Sequence, residues 1–192
     1  TGVEYYATIF AVDESPLKEG LIWVGSDDGL IHITKDGGES WENITPRGMP
    51  EWMMINSIDA SPFDEGTAYV AGTRYKLGDF TPYLYRTDNY GKSWKLITDG
   101  IESEHFTRVV RSDKTKRGLL YSGTETGIYI SFNDGKSWEK FSSRTTDCAN
   151  ECRPPRGRAW RNTSPFGGHC TCRFPRRATQ ARARRAACRL PR

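Results

Sequence analysis

The stretch SFNDGKSW, residues 131–138, decides how this chain is read. Its middle has the chemistry of a tight turn, and it ends on Trp, whose large ring is costly to leave in water. Two other stretches repeat the pattern, TKDGGESW at 34–41 and TDNYGKSW at 87–94. Each runs Ser or Thr, any residue, Asp or Asn, any residue, Gly, any residue, Ser, Trp. The Trp residues stand at 41, 94 and 138, at spacings of 53 and 44 residues.

The likeness extends outward from each motif. GLIWVGSDDGLIHIT (20–34) aligns with GLLYSGTETGIYIS (118–131), and GTAYVAGTRYKLGDFTPYLYRT (66–87) is the middle copy with an insertion. Further upstream SPLKEG (15–20), SPFDEG (61–66) and DKTKRG (113–118) occupy one place. Every copy holds four runs of about five residues, β-branched and aromatic, separated by Gly, Pro and Asp, which is strand and hairpin grammar. No stretch carries a helical period. Four antiparallel strands in a unit of 40–50 residues is the signature of a propeller blade. The predicted fold is therefore all-β, a partial β-propeller of about three four-stranded blades. Blade one spans 1–45, blade two 46–98 with a loop insertion at 74–82, and blade three 99–141.

The motif is then the hairpin between third and fourth strands. Asp36, Asn89 and Asn133 can accept from nearby backbone N–H groups, and Gly38, Gly91 and Gly135 can take positive φ without a Cβ clash. Thr34, Thr87 and Ser131, with Ser40, Ser93 and Ser137, offer hydroxyls that close the loop. Trp41, Trp94 and Trp138 leave the turn and are expected to pack between neighbouring blades. Three blades leave open edge strands, so the chain is expected to belong to a larger ring.

The overall charge of +4 averages two unlike segments. Residues 1–141 carry 15 Lys and Arg against 22 Asp and Glu, a balance of −7; residues 142–192 carry 13 Arg against two acids, a balance of +11. All five cysteines (148, 152, 170, 172, 188) lie in the second segment, which has no Ile, Val, Met, Lys or Tyr. Its composition is that of GC-rich coding DNA read out of frame, and it is expected to be a disordered basic tail. The spacings C-x3-C and H-C-x-C do not match the common zinc-finger patterns, so no metal or other cofactor is expected. Thirteen Arg with Trp160, Phe166 and Phe174 are the ingredients of nucleic-acid contact, but an unselected Arg-rich sequence accounts for them and nucleic acid is not the expected partner. No apolar run approaches the roughly 18 residues of a membrane span. The opening TGVEYYATIF has neither Met nor a signal peptide and reads as a cut or processed end.

The three motifs are identified as Asp-boxes, also called bacterial neuraminidase repeats. VGSDDGLIHITKDGGESW, TRYKLGDFTPYLYRT and FTRVVRSDKTKRGLLYSGTETGIYISFNDGKSW resemble, more specifically, the sortilin-like propeller proteins of bacteria. That resemblance implies an exported, extracellular or periplasmic, many-bladed propeller, often labelled a glycosyl hydrolase by analogy with sialidases. Two of the three copies depart from the motif's preferred Asp by carrying Asn.

A sialidase-type site needs clustered Arg and a Tyr–Glu pair. Arg108 and Arg111 flank the first strand of blade three, so Glu104, His105 and Arg108 are candidates to face a channel, although rim charge is the blander reading. Asp27, Asp28 and Glu125 sit between second and third strands, where Asp beside Gly is ordinary turn chemistry. His32 lies within a strand and reads as a packed or rim side chain. No catalytic residue is assigned. The insertion supplies Tyr75, Phe80 and Tyr83, which with Arg108 are the candidate ligand contacts. The expected partners are a peptide or a carbohydrate, besides further blades of the parent ring. The function expected is a scaffold or ligand-binding surface; the alternative is part of a glycoside hydrolase whose site needs other blades.

Overall fold

The computed structural model describes residues 7–141; the Arg- and Cys-rich stretch 142–192, and the expectations placed on it, lie outside them. Three four-stranded antiparallel sheets follow one another along the chain. The first holds β1 (Ile9–Glu14), β2 (Ile22–Ser26), β3 (Ile31–Thr34) and β4 (Glu42–Asn43). The second holds β5 (Met54–Ala60), β6 (Ala68–Arg74), β7 (Asp79–Thr87) and β8 (Lys95–Leu96). The third holds β9 (Thr107–Ser112), β10 (Leu120–Thr124), β11 (Gly127–Ser131) and β12 (Glu139–Phe141). Strand order within each sheet is chain order. Among the described residues the one helical element is a 3₁₀ turn at Tyr75–Leu77.

The middle sheet is buried on both faces because a sheet packs on either side of it. Side chains alternate along β6: Ala68 and Val70 face the first sheet, with Ile31, Ile33, Ile55 and Ile58, whereas Tyr69 and Ala71 face the third, with Val110, Leu120 and Tyr129. Gly25 makes the first approach close, since a Cβ there would lie 2.3 Å from the Ile55 side chain.

The first strands hold the sheets together at one end. Asp13 accepts from the Ala60 N–H at 2.7 Å, and Asp59, one sheet on, accepts from the Ser112 N–H at 2.8 Å. Burial pushes the Asp59 carboxyl up, against the lowering effect of its Ser112 bonds. The third sheet carries Arg111 at this place, and its guanidinium reaches back to Ser57 Oγ (2.8 Å) and the Ile58 carbonyl (3.1 Å).

The SPLKEG, SPFDEG and DKTKRG turns superpose in their bonding. Leu21, Thr67 and Leu119 each accept from the residue six before (Ser15, Ser61, Asp113), and the Gly20, Gly66 and Gly118 carbonyls receive the N–H of Gly37, Tyr90 and Asp134. Those last three residues and the glycines after them all have positive φ, so the bend uses two left-handed residues in succession, the first of which need not be Gly. Within the bend, Thr34, Thr87 and Ser131 hydroxyls receive the N–H of Gly38, Gly91 and Gly135 at 2.9–3.0 Å. Asp36, Asn89 and Asn133 accept from the N–H of Ser40, Ser93 and Ser137 at 2.9–3.0 Å. The Asn copies keep the loop because the last hydroxyl reverses its role. Ser40 donates to Asp36, whereas Asn89 and Asn133 donate their Nδ2 to Ser93 and Ser137.

The Trp residues do not all reach a seam. Trp138 is 3% exposed and donates its Nε1–H to the Ile97 carbonyl of the second sheet at 2.6 Å. Trp94 makes the same bond to Ile44 of the first sheet at 2.7 Å and is half-buried. Trp41 departs from the expectation and stays 46% exposed, because among the described residues no sheet packs on that side of the first. It borders a 360 Å³ cavity lined by Ile9, Val24, Leu30 and His32.

Candidate functional site

The innermost strands begin with a bulge at one place in every sheet. The pairing slips between Ile9 and Ala11, between Ile55 and Ser57, and opposite Gly123 and Thr124, which leaves Phe10, Asn56 and Arg108 as the extra residues. A bulge re-aims its side chain and kinks the strand. Phe10 is exposed, Asn56 receives the Thr73 hydroxyl at 2.7 Å, and Arg108 points into a cluster of rings.

Two of those rings, Tyr75 and Phe80, come from an unlooked-for arrangement of 74–82. Rather than a long loop, most of it extends the β6–β7 hairpin, closed by the 3₁₀ turn and by Gly78 at φ 76°. Asp79 is the reason. It receives Arg74 Nη1 at 2.9 Å, the Tyr83 hydroxyl at 2.8 Å and the Thr81 N–H at 3.0 Å. Burial would raise its pKa, but these bonds outweigh that and hold it at about 2. The Tyr83 phenol is pushed up in turn, by burial and by the bond to Asp79. Tyr83 thus braces the hairpin, while Tyr75 and Phe80 project toward the third sheet.

There they meet Phe106. Tyr75 stacks on it at 5.4 Å and 13°, and Phe80 leans on it at 5.8 Å and 51°. The Arg108 guanidinium lies 4.5 Å from the Tyr75 ring centre and 4.9 Å from that of Phe106, and its Nε donates to Glu125 at 3.0 Å. Three of the four candidate contacts, Tyr75, Phe80 and Arg108, therefore form one patch. Phe106 was missed from the sequence; an aromatic immediately before a strand gives no sign of the partner a distant hairpin will bring.

The other candidates lie elsewhere. His105 Nδ1 sits 2.6 Å from the Tyr129 hydroxyl and its Nε2 3.3 Å from Glu102, which also meets Lys140 at 3.3 Å. Glu104 is exposed. Asp27 receives the Thr8 N–H at 2.9 Å and so ties the β2–β3 turn to the residue before β1, whereas Asp28 receives the Ser26 hydroxyl within its own turn. His32 pairs with Asn43 across β3 and β4. The residues of the repeated Trp-ending motif occupy the hairpins already described, at the opposite ends of β3, β7 and β11 from the β2–β3, β6–β7 and β10–β11 turns. Among the described residues no cluster of three or more His, Cys, Asp and Glu is arranged to hold a metal ion. A guanidinium stacked on two rings offers a planar cation beside apolar faces, suited to a carboxylate or to a ring-shaped ligand.

No protein-family model matches the chain. It is 28% identical over 108 residues to the oligoxyloglucan-reducing end-specific xyloglucanase of Emericella nidulans, a match covering 56% of this chain and 13% of that protein. It is 31% identical over 121 residues to vacuolar protein sorting/targeting protein 10 of Laccaria bicolor, covering 62% of this chain and 7% of that one. Among solved structures, an ancestral GH74 enzyme matches 75% of this chain with 20% of its own length, at 25% identity and TM-score 0.58. YCF48 bound to D1 peptide matches 70% with 41% of its own length, at 23% identity and TM-score 0.55.

The three sheets are β-propeller blades. The matches span about 13% and 7% of the lengths of these two relatives. The described propeller has no helix long and apolar enough to cross a membrane.

Proposed function

We propose that this chain is the ligand-binding part of a larger Asp-box propeller, and that its contact surface is the patch of Tyr75, Phe80, Phe106 and Arg108. The single observation that carries the reading is the stacked Arg108, aimed by a strand bulge at rings supplied by the neighbouring blade. A peptide carboxylate or an acidic side chain would displace Glu125, whose pairing with Arg108 is solvent-exposed and weak. Asp27 and Asp79 at this end are taken up in structural bonds, to the Thr8 N–H and to Arg74, Thr81 and Tyr83, which supports binding over hydrolysis by them. Membership of a larger ring is supported by the two open sides. Trp41 and Ile9 face outward from the first blade, and Phe141, at the place of Ile44 and Ile97, faces outward from the third. The parent would be an exported protein, as in the sortilin-like resemblance.

The test is a titration of the full chain with a peptide ending in a free carboxylate and, separately, with xyloglucan oligosaccharides. Saturable peptide binding that Arg108→Ala weakens by about tenfold is the expected result. The second reading, part of a glycoside hydrolase, rests on the 28% identity to a xyloglucanase. Oligosaccharide binding at the same rings, with peptide binding absent, would replace the first reading by the second.

A further inference from the structure

The two interblade seams should be equivalent, but only one is closed. At the seam between the second and third blades, the linker after Ile97 folds directly over Trp138. The Asp99 carbonyl takes the Trp138 N–H at 2.8 Å, and Ile101 joins Trp138 in the buried cluster. A Cβ on Gly100 would lie 2.3 Å from the Trp138 carbonyl oxygen, so the linker is packed without a gap.

The seam between the first and second blades begins identically, with Trp94 bonded to Ile44. Its linker makes the same turn, Met49 N–H to the Pro46 carbonyl where the other has Ile101 to Thr98. The glycine before the turn's last residue has positive φ in both, Gly48 at 79° and Gly100 at 90°. The difference is one residue. Five steps separate Ile44 from Met49, whereas four separate Ile97 from Ile101. The longer linker stands off: nothing lies within 4 Å of the Gly48 Cβ position, and the Trp94 N–H has no backbone acceptor among the described residues. Between them opens a groove of about 680 Å³ lined by Asn43, Arg47, Met49, Lys92 and Trp94. Its one acid, Glu42, is already paired with Lys35, so the groove is cationic.

We propose that this outer-rim groove is a docking site for an acidic peptide that turns over Trp94, carrying an acidic residue two positions before a branched aliphatic one. The sister seam specifies the occupant, because it shows what the chain places on an equivalent Trp. A carbonyl accepts the Trp N–H, and an aliphatic side chain two residues later shares the ring's buried cluster. Met49, unbranched and half-buried, stands where Ile101 stands and is flexible enough to make room. Arg47 and Lys92 at the rim complement the acidic flank. The groove lies on the outer strands, apart from the Arg108 patch, so the two sites can be occupied independently.

The probe is the capped heptapeptide TDGIESE, which is residues 98–104 of the chain itself, titrated into the full ¹⁵N-labelled protein. The expected result is a saturable shift of the Trp94 backbone amide with Trp138 unmoved. The double change Arg47→Glu with Lys92→Glu should weaken binding at least about tenfold, and so should TDGSESE, which removes the aliphatic anchor. Deleting Thr45, which stands before the aligned turn and leaves Gly48 in it, restores the four-step spacing and should bury Trp94 and abolish the shift. If that deletion does not fold, the charge reversal and the altered peptide still decide. An unmoved Trp94 amide at millimolar peptide overturns the proposal, as does equal binding of TDGSESE.

Discussion

The three Trp residues of one repeated motif offer a graded test of how a seam is held. Trp138 is covered from both sides and donates to Ile97; Trp94 makes the same bond but borders the open groove; Trp41 is nearly half exposed. Burying an indole removes roughly 150–250 Å² from water, about 4–6 kcal/mol at 25 cal/mol per Å². Truncating such a side chain in a packed core costs about 3–5 kcal/mol, and the orphaned Ile97 carbonyl contributes to that cost. Trp138→Ala should therefore lose about 3–5 kcal/mol, Trp94→Ala less, and Trp41→Ala about 1 kcal/mol. For a unit of this size that is a drop in Tm of roughly 10 °C or more for Trp138→Ala. Urea and thermal unfolding of the three variants, followed by far-UV circular dichroism, read the order directly. Trp138→Phe keeps most of the apolar area and loses the N–H, so it should fall between Trp138→Ala and wild type. The reasoning is refuted if Trp41→Ala destabilises as much as Trp138→Ala, or if Trp138→Ala leaves the midpoint in place.

Other consequences follow from the same hairpins and strands. The Asp36 carboxyl is held well below the usual carboxylate range, first by the Ser40 hydroxyl and then by Thr34. A depressed folded pKa stabilises above about pH 4 and loses that contribution as pH falls further, so Asp36→Asn should flatten part of the acid limb of unfolding while leaving neutral stability nearly unchanged. Asp79 and Asp113, each held at about 2, should supply the acid limb that remains. Asp59 has the opposite sign: burial raises its folded pKa, so its effect is lost as pH rises. Asp59→Asn, which still accepts from Ser112, should reduce the pH dependence above about pH 4 in denaturant titrations. Gly135→Ala combines φ 81° with a Cβ 2.6 Å from Ile97 and should cost about 1–3 kcal/mol. Gly38→Ala has the strain without the collision and should cost less, which melting curves of the pair would show.

The blades were legible because their determinants are local. Alternation in runs such as LIWVG and AYVAG, the paired Gly and Asx of each hairpin and the register of the SPLKEG-type turns act over a few residues, and each repeats three times. The Asn copies were legible as departures, but not the compensating reversal of Ser93 and Ser137, which depends on hydroxyl direction. The patch was legible in part: Arg108 from its place on an inner strand, Tyr75 and Phe80 from the insertion. Phe106 and the bracing role of Tyr83 were not, because Asp79 turned the insertion into a hairpin and carried its rings across to another sheet.

What the sequence alone determined is the repeating unit, its four strands and its tight Gly-bearing bend, since backbone sterics and hydrogen bonding within eight residues suffice to specify them. The tertiary structure decided which copies of a residue do the same work. Trp41, Trp94 and Trp138 are identical in motif and differ in burial, because burial belongs to the neighbour: for Trp138 the second blade and its close-packed linker, for Trp94 a linker one residue too long, and for Trp41 no blade among the described residues.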